Sequence, residues 1–380
     1  MQFPNQVQSA LLLDGPPDDL DSVVRNFITI MEAKEGFRFN VPESTPGVFY
    51  RLFGGDSMTV SFELVPNPGN SEVFSQPLGS AITGIMCPDV RERVMRHQAM
   101  VLVTVTHGVL GSVGEDPKIA AMLRDIGMPR EGGNLPQFLK RLEVCQLASR
   151  VACEAREPLL VHWTQSNQIF PGELFDDLAA LPAPSPLHVH PYLFGPRSAQ
   201  GEKQTFGIRS FGAQHFIGGE IVVEPHELPF GANFEVMLSF IRIAIAQNGY
   251  IIPDGDTFGP EDRSLSYRCT HRQPDEGGVP LYELTPLFHR EYGYQSTEFA
   301  PYENRIDDRM PPPGLMPESQ EAKAALANEW REKRSMAEGI GGRFEVRTFE
   351  TPPPQPRPPA GPPPVTGPGP RRAMFGRKGL

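Results

Sequence analysis

The sequence predicts an α+β fold: two packed α/β halves with mainly antiparallel sheets. Three observations predict it. Hydrophobic residues are 39% and charged residues 21% of the 380 positions, the balance of a globular chain. Short apolar runs alternate with stretches of helical spacing. Prolines are frequent, 42 in all, and each removes a backbone donor, which keeps helices and strands short.

Residues 10–13 are apolar and stop at Asp14-Gly15-Pro16-Pro17, so they read as a buried strand. Residues 18–33 place Leu20, Val23, Val24, Phe27, Ile28 and Met31 at helical spacing, with Asp18 or Asp19 as the cap. Strand-like runs follow at 48–53 and 58–65, with Gly54-Gly55-Asp56 between them as a hairpin signal. Residues 88–96 read as a helix. Residues 97–106, apolar at their centre, read as a strand in the middle of a sheet. That order is β-α-β-β-α-β, a ferredoxin-like arrangement. Helices over 116–126 and 135–155 complete a first half, residues 1–157.

The second half, residues 158–300, starts with a strand at 159–163 and a short helix at 172–181. Prolines break up 182–196, within which 188–194 is extended. A strand at 220–223 ends at Glu224-Pro225. The helix over 228–247 carries Phe230, Phe234, Met237, Leu238, Ile241 and Ile245 on one face. Strand-like pieces follow at 250–252, 265–270 and 281–284. Residues 301–350 hold a breaker and a charged helix at 318–337, anchored by Leu326 and Trp330. From 351 onward the chain is Pro-rich and cannot bury enough apolar surface to offset its ordering entropy, so a disordered, extended spacer is expected.

Charge divides the same way. The last 30 residues hold five basic residues and none of the 46 acidic ones. The acidic body argues against nucleic-acid binding, which needs clustered Lys and Arg. Cys87, Cys145, Cys153 and Cys269 form no C-x-x-C pair, so neither a zinc site nor a disulfide framework is expected. The first residues lack a basic signal-peptide region, and no apolar run approaches the ~20 residues of a membrane span. A soluble cytoplasmic protein is the expectation. No dinucleotide, phosphate-loop or H-E-x-x-H motif is present, so no cofactor is expected.

Several constellations carry chemistry. Asp254-Gly255-Asp256-Thr257 follows an apolar run, where two carboxylates can bind a metal or attack phosphate; Asp and Gly also form a simple turn with Thr257 capping it. His188 and His190, two residues apart on a strand, share one face and make a metal pair, or sit on an edge strand without a ligand. His162 and Ser166 close a strand with a polar run, where nucleophilic catalysis or a buried polar network can be built. His215 and Glu220 flank a short loop, where they can pair or simply belong to a hairpin or loop. At the end of the spacer, Arg371, Arg372, Phe375, Arg377 and Lys378 interleave an aromatic with basic side chains, which suits docking of a protein partner or a solubilising tail.

Three stretches resemble a bacterial family, domain of unknown function 4261. They are Leu160-Val161-His162-Trp163 through Ser166 and Phe170, Thr205-Phe206-Gly207-Ile208-Arg209-Ser210-Phe211-Gly212 with the following Glu220-Ile221-Val222-Val223, and Asp254-Gly255-Asp256-Thr257-Phe258-Gly259. The resemblance spans about residues 8–270. The chain departs from the family pattern at 213–219 and in the tail. The family implies a domain and no reaction.

The leading expectation is a non-enzymatic binding or scaffold protein whose tail docks a partner. One alternative is a hydrolase or metal-dependent enzyme with Asp254, Asp256, His162 and Ser166 around one cleft. Another is a secretion-associated or toxin-neutralising protein, which suits the acidic body.

Overall fold

The computed structural model describes residues 3–36, 38–54, 58–66, 71–107, 133–195, 205–247, 249–260, 264–273 and 278–298. The sequence readings for 116–126, for the charged helix and for the tail with Arg371, Arg372, Phe375, Arg377 and Lys378 lie outside these residues. The fold is α+β.

The first sheet uses β1 (Gln6–Leu13), β2 (Asn40–Thr45), β3 (Phe49–Phe53), β4 (Met58–Val65), β5 (Ala99–His107), β6 (Leu160–Trp163) and β7 (Gln168–Pro171). Its order is β2-β3-β4-β5-β1-β6-β7, antiparallel at every step. The nine-residue β5 is central, as its apolar run predicts. β2, exposed along its length and carrying Pro42, is the edge that periodicity does not reveal.

Alternation along β1 sends side chains to two cores. Leu11 and Leu13 face the main core, and Ala10 and Leu12 face a small one. Over the main core lie α1 (Leu20–Glu35) and α5 (Leu135–Ala155). Asp19 caps α1 by accepting from the Ser22 amide at 2.9 Å, and Gly36 ends it in the left-handed conformation at φ 71°. Phe27 on α1 is fully buried and meets Phe62 of β4 edge-on at 5.4 Å. Burial of a side chain of that size contributes about 1.5–3 kcal/mol. The small core lies under α2 (Ser75–Leu78), α3 (Ala81–Met86) and α4 (Val90–Arg96). Phe74, Val90 and Val94 pack there on Leu12 and Leu160.

The second sheet is built from β8 (His190–Phe194), β9 (Phe206–Phe211), β10 (Glu220–His226), β11 (Thr257–Phe258), β12 (Leu265–Arg272) and β13 (Leu281–His289), with β14 (Tyr294–Gln295) paired to β13. Its order is β11-β12-β13-β10-β9-β8. Among the described residues only the β10–β13 pair is parallel, and α8 (Phe230–Ala246) lies in the connection between them. Two short helices, α6 (Gly172–Ala179) and α7 (Gln214–Ile217), fill the remaining turns. One continuous core joins the sheets: Phe138 of α5 packs on Phe216 of α7 with ring centroids 5.4 Å apart. No helix among the described residues is long and apolar enough to cross a membrane.

Four expectations change. The ferredoxin-like arrangement is not reproduced: β2 adds a third strand between the helices, and the strand order differs. β2 to β5 pair in chain order as a meander, because strands close in sequence find each other first, and β1 then adds to β5 antiparallel. The boundary near 158 falls inside the first sheet, since β6 pairs with β1 and β7 with β6. Residues 250–252 are a loop rather than a strand. β10 continues past Pro225, because an irregularity between Val223 and His226 takes the missing donor out of the ladder.

Candidate functional site

The turn between β6 and β7 is tight. The Asn167 amide closes onto the Thr164 carbonyl at 3.2 Å, and Asn167 itself adopts a left-handed φ of 49°, which Asn tolerates better than most residues. Its side chain then bridges two elements. Oδ1 accepts from His162 Nε2 at 2.9 Å, and Nδ2 donates to Gln76 Oε1 at 2.9 Å. His162 is 5% exposed and lies edge-on to Phe74 at 5.4 Å; burial lowers its pKa below the usual imidazole value.

Ser166 is fully buried. It donates to the Leu187 carbonyl at 2.7 Å and accepts from Gln168 Nε2 at 2.9 Å. A hydroxyl held on a carbonyl is not presented to a base. His162 and Ser166 thus share a hairpin but form a buried polar network, not a nucleophile–base pair.

His188 and His190 do not form a metal pair. His188 precedes β8 and sits in the main core, perpendicular to Trp163 at 5.8 Å and to Phe216 at 6.2 Å. Its Nδ1 accepts from the Ser185 amide at 3.2 Å, so the proton is on Nε2. Burial pulls its pKa down to about 3. His190 opens β8, turned toward Ser80 and Asn167. Its Nδ1 donates to the Asn167 carbonyl at 3.4 Å, and its Nε2 accepts from the Ser80 hydroxyl at 2.7 Å. Burial pulls its pKa down to about 4. Among the described residues no group of three or more His, Cys, Asp or Glu side chains is placed to hold a metal ion.

The Asp254 loop is a turn. Gly255 takes φ 80° and donates to the Cys269 carbonyl at 2.7 Å. The Asp254 carboxylate accepts from the His271 amide at 2.8 Å, and Asp256 joins the ladder through its own carbonyl and the Cys269 amide at 2.8 Å. His271 is in β12, four strand spacings from β8. At about 4.8 Å per spacing this is roughly 19 Å. His162 lies beyond β8, bonded to the turn that touches His190. The sheet therefore keeps Asp254 and Asp256 apart from His162 and Ser166.

Glu220 does not pair with His215, whose ring faces Phe138 at 6.2 Å. Instead its 3% exposed carboxylate folds back onto the chain before α7. Oε1 accepts from the Gly212 amide at 2.9 Å and the Gln214 amide at 3.4 Å; Oε2 accepts from the Ala213 amide at 3.2 Å and from the Ser210 hydroxyl. Burial raises its pKa against the pull of these four donors. The backbone there has no room for a side chain on Gly212: φ is 103°, and an added Cβ would stand 2.6 Å from the His188 carbonyl.

These pieces enclose a cavity of about 300 Å³ where the β8 end of the second sheet meets the β6–β7 turn. Tyr192 and Arg209 stand directly opposite each other on β8 and β9, and His190 pairs in register with Phe211. Gln76, Asn167, Gln214, Glu220 and Val279 also line the cavity. Arg209 and Tyr192 are exposed. Among the described residues, neither the Arg209 guanidinium nor the Tyr192 hydroxyl has a protein partner.

Of the predicted site residues, His190 and Glu220 line this cavity, with His162 and Ser166 in the hairpin beside it. Tyr192, Arg209 and Gln76 are not singled out by sequence reasoning. The available signal was the every-second-residue pattern His190/Tyr192 and Arg209/Phe211, which puts polar and aromatic groups on one sheet face. No protein-family model, curated protein or solved structure matches the chain.

Proposed function

We propose that this protein is a non-enzymatic binding protein whose ligand site is the cavity between β8, β9 and the β6–β7 turn. The observation that carries this reading is a division of labour among polar groups. Ser166, His162 and Asp254, the groups a hydrolase would need, are spent on structural hydrogen bonds. Arg209 and Tyr192, on the cavity wall, are not. A concave site with aromatic walls and a few convergent polar groups is the usual form of a small-molecule site.

The resemblance to the domain of unknown function 4261 family points to the same place. Two of its three stretches supply Asn167 and Arg209-Ser210-Phe211, and the Glu220 strand supplies the strut beneath. A hydrolase reading would need Asp254 beside His162, and the strand spacing counts against it. The basic, Pro-rich tail remains the feature that suits docking to a protein partner, as a second and separate contact.

A thermal-shift screen of small polar aromatic compounds, followed by mass spectrometry of the incubated mixture, tests the reading. A binder should raise the melting temperature by a few degrees at a hundredfold excess over its Kd. It should be recovered unchanged, and it should lose its effect in Val279→Trp, which fills the cavity rim. Conversion of the binder to product, or an undiminished effect in Val279→Trp, would sink the reading.

A further inference from the structure

The ligand class follows from the charges and shapes on the cavity wall. Arg209 is the one cation among the described lining residues. His190 adds no charge, because burial and its bonds to Ser80 and Asn167 keep it neutral. Glu220 also lines the cavity, but both its oxygens are filled by four donors from 210–214, so it has no capacity left for a ligand ammonium group. It still places a buried acidic group near any bound anion, which weighs against a second negative charge. Tyr192 and Phe211 bring rings, and Val279 an aliphatic edge. Gly207, opposite Phe194, lacks the Cβ that would meet that ring at 2.5 Å, so Phe194 can lie over the neighbouring strand and carry the aromatic surface on.

We propose that the cavity takes a small monocarboxylate with a planar apolar body, its carboxylate on the Arg209 guanidinium and its body between Tyr192, Phe211 and Val279. The planar fork of arginine matches two carboxylate oxygens, and bonds between charged partners are the stronger ones. Gln76 and Gln214 add neutral amide groups to the lining. A phosphate dianion would need more positive charge than one guanidinium beside Glu220 supplies. The volume, about 300 Å³, lies at the small end of ligand sites. This assignment rests on the binding reading above.

Three probes on the full chain decide it: benzoate, its neutral isostere benzamide, and phenyl phosphate, each titrated by NMR. Benzoate is expected to bind more tightly than either of the others. Arg209→Gln should weaken benzoate about tenfold while leaving benzamide unchanged, in keeping with the loss of charge-assisted bonds. Arg209 is exposed, so the melting temperature of that variant should match the parent. Val279→Trp should abolish benzoate binding. Equal binding of benzamide and benzoate, both lost in Val279→Trp, would overturn the carboxylate assignment and leave the binding reading standing. Tighter phenyl phosphate would replace carboxylate by phosphate. Absence of benzoate binding, or benzoate retained in Val279→Trp, would overturn the assignment outright.

Discussion

Asn167 Oδ1 lies 2.9 Å from His162 Nε2, across a turn in which Asn167 holds φ at 49°. One residue thereby satisfies a buried imidazole, fixes the turn geometry and reaches Gln76 on a separate helix. Asn167→Gly should keep the turn and lose the bonds, whereas Asn167→Ala should lose both. Leaving a buried group without its partner costs about 1–3 kcal/mol. The left-handed backbone adds about 1 kcal/mol for Ala over Gly. Urea unfolding of the two variants should show that order, and equal stabilities would disprove the role given to φ.

Glu220 anchors the turn before α7 through four donors. Glu220→Gln replaces one acceptor oxygen by a donor, so the two donors bound to that oxygen lose their partner. The expected loss is about 2–4 kcal/mol in urea unfolding. A neutral result would mean that the backbone amides find water instead.

The two buried histidines His188 and His190 give a pH dependence. Burial holds His188 near pKa 3 and His190 near 4, against an ordinary 6.5. Below about pH 6.5 the unfolded chain takes up protons that the folded chain refuses. Their contribution to stability is therefore complete above pH 6.5 and is lost as pH falls toward 4 and then 3. Each site accounts for about 1.4 kcal/mol per pH unit in that window. NMR titration of the imidazole carbons should show both rings neutral at pH 5.5. A midpoint near 6.5 for either would contradict the burial assigned to it.

Removal of residues 351–380 should leave the melting temperature unchanged, since 11 of residues 351–370 are Pro and the segment offers little to a core. If the basic end docks a partner, the same deletion should remove one protein from a pull-down by the full chain. An identical set of captured proteins would count against docking.

Legibility in the sequence followed the range of the forces involved. α1, α5 and α8 were readable because their apolar stripes are local and repeat at helical spacing, and α1 ends at a capping Asp and a Gly. β5 was readable from its unbroken apolar centre. β7 was not, because Gln168 and Pro171 look like loop residues, and Gln168 is buried partly by its bond to the Pro186 carbonyl further along the chain. The strand order was not readable either, since β1 pairs with residues some 90 and 150 positions away. At the site, His190 stood out as a residue type. Arg209 and Tyr192 did not, because their meaning comes from facing each other across two strands.

The place of β1 between β5 and β6 bears on how the chain is made. Ser9 has Val103 on one side and Trp163 on the other. The second neighbour of the strand follows about 150 residues later in the chain. At about 5–20 residues per second, that is roughly 8–30 s of synthesis. For that interval Leu11, Leu12 and Leu13 lie in a strand with an open edge, the condition under which chains pair with one another. Until residue 163 is made, this open edge is where two nascent chains would pair.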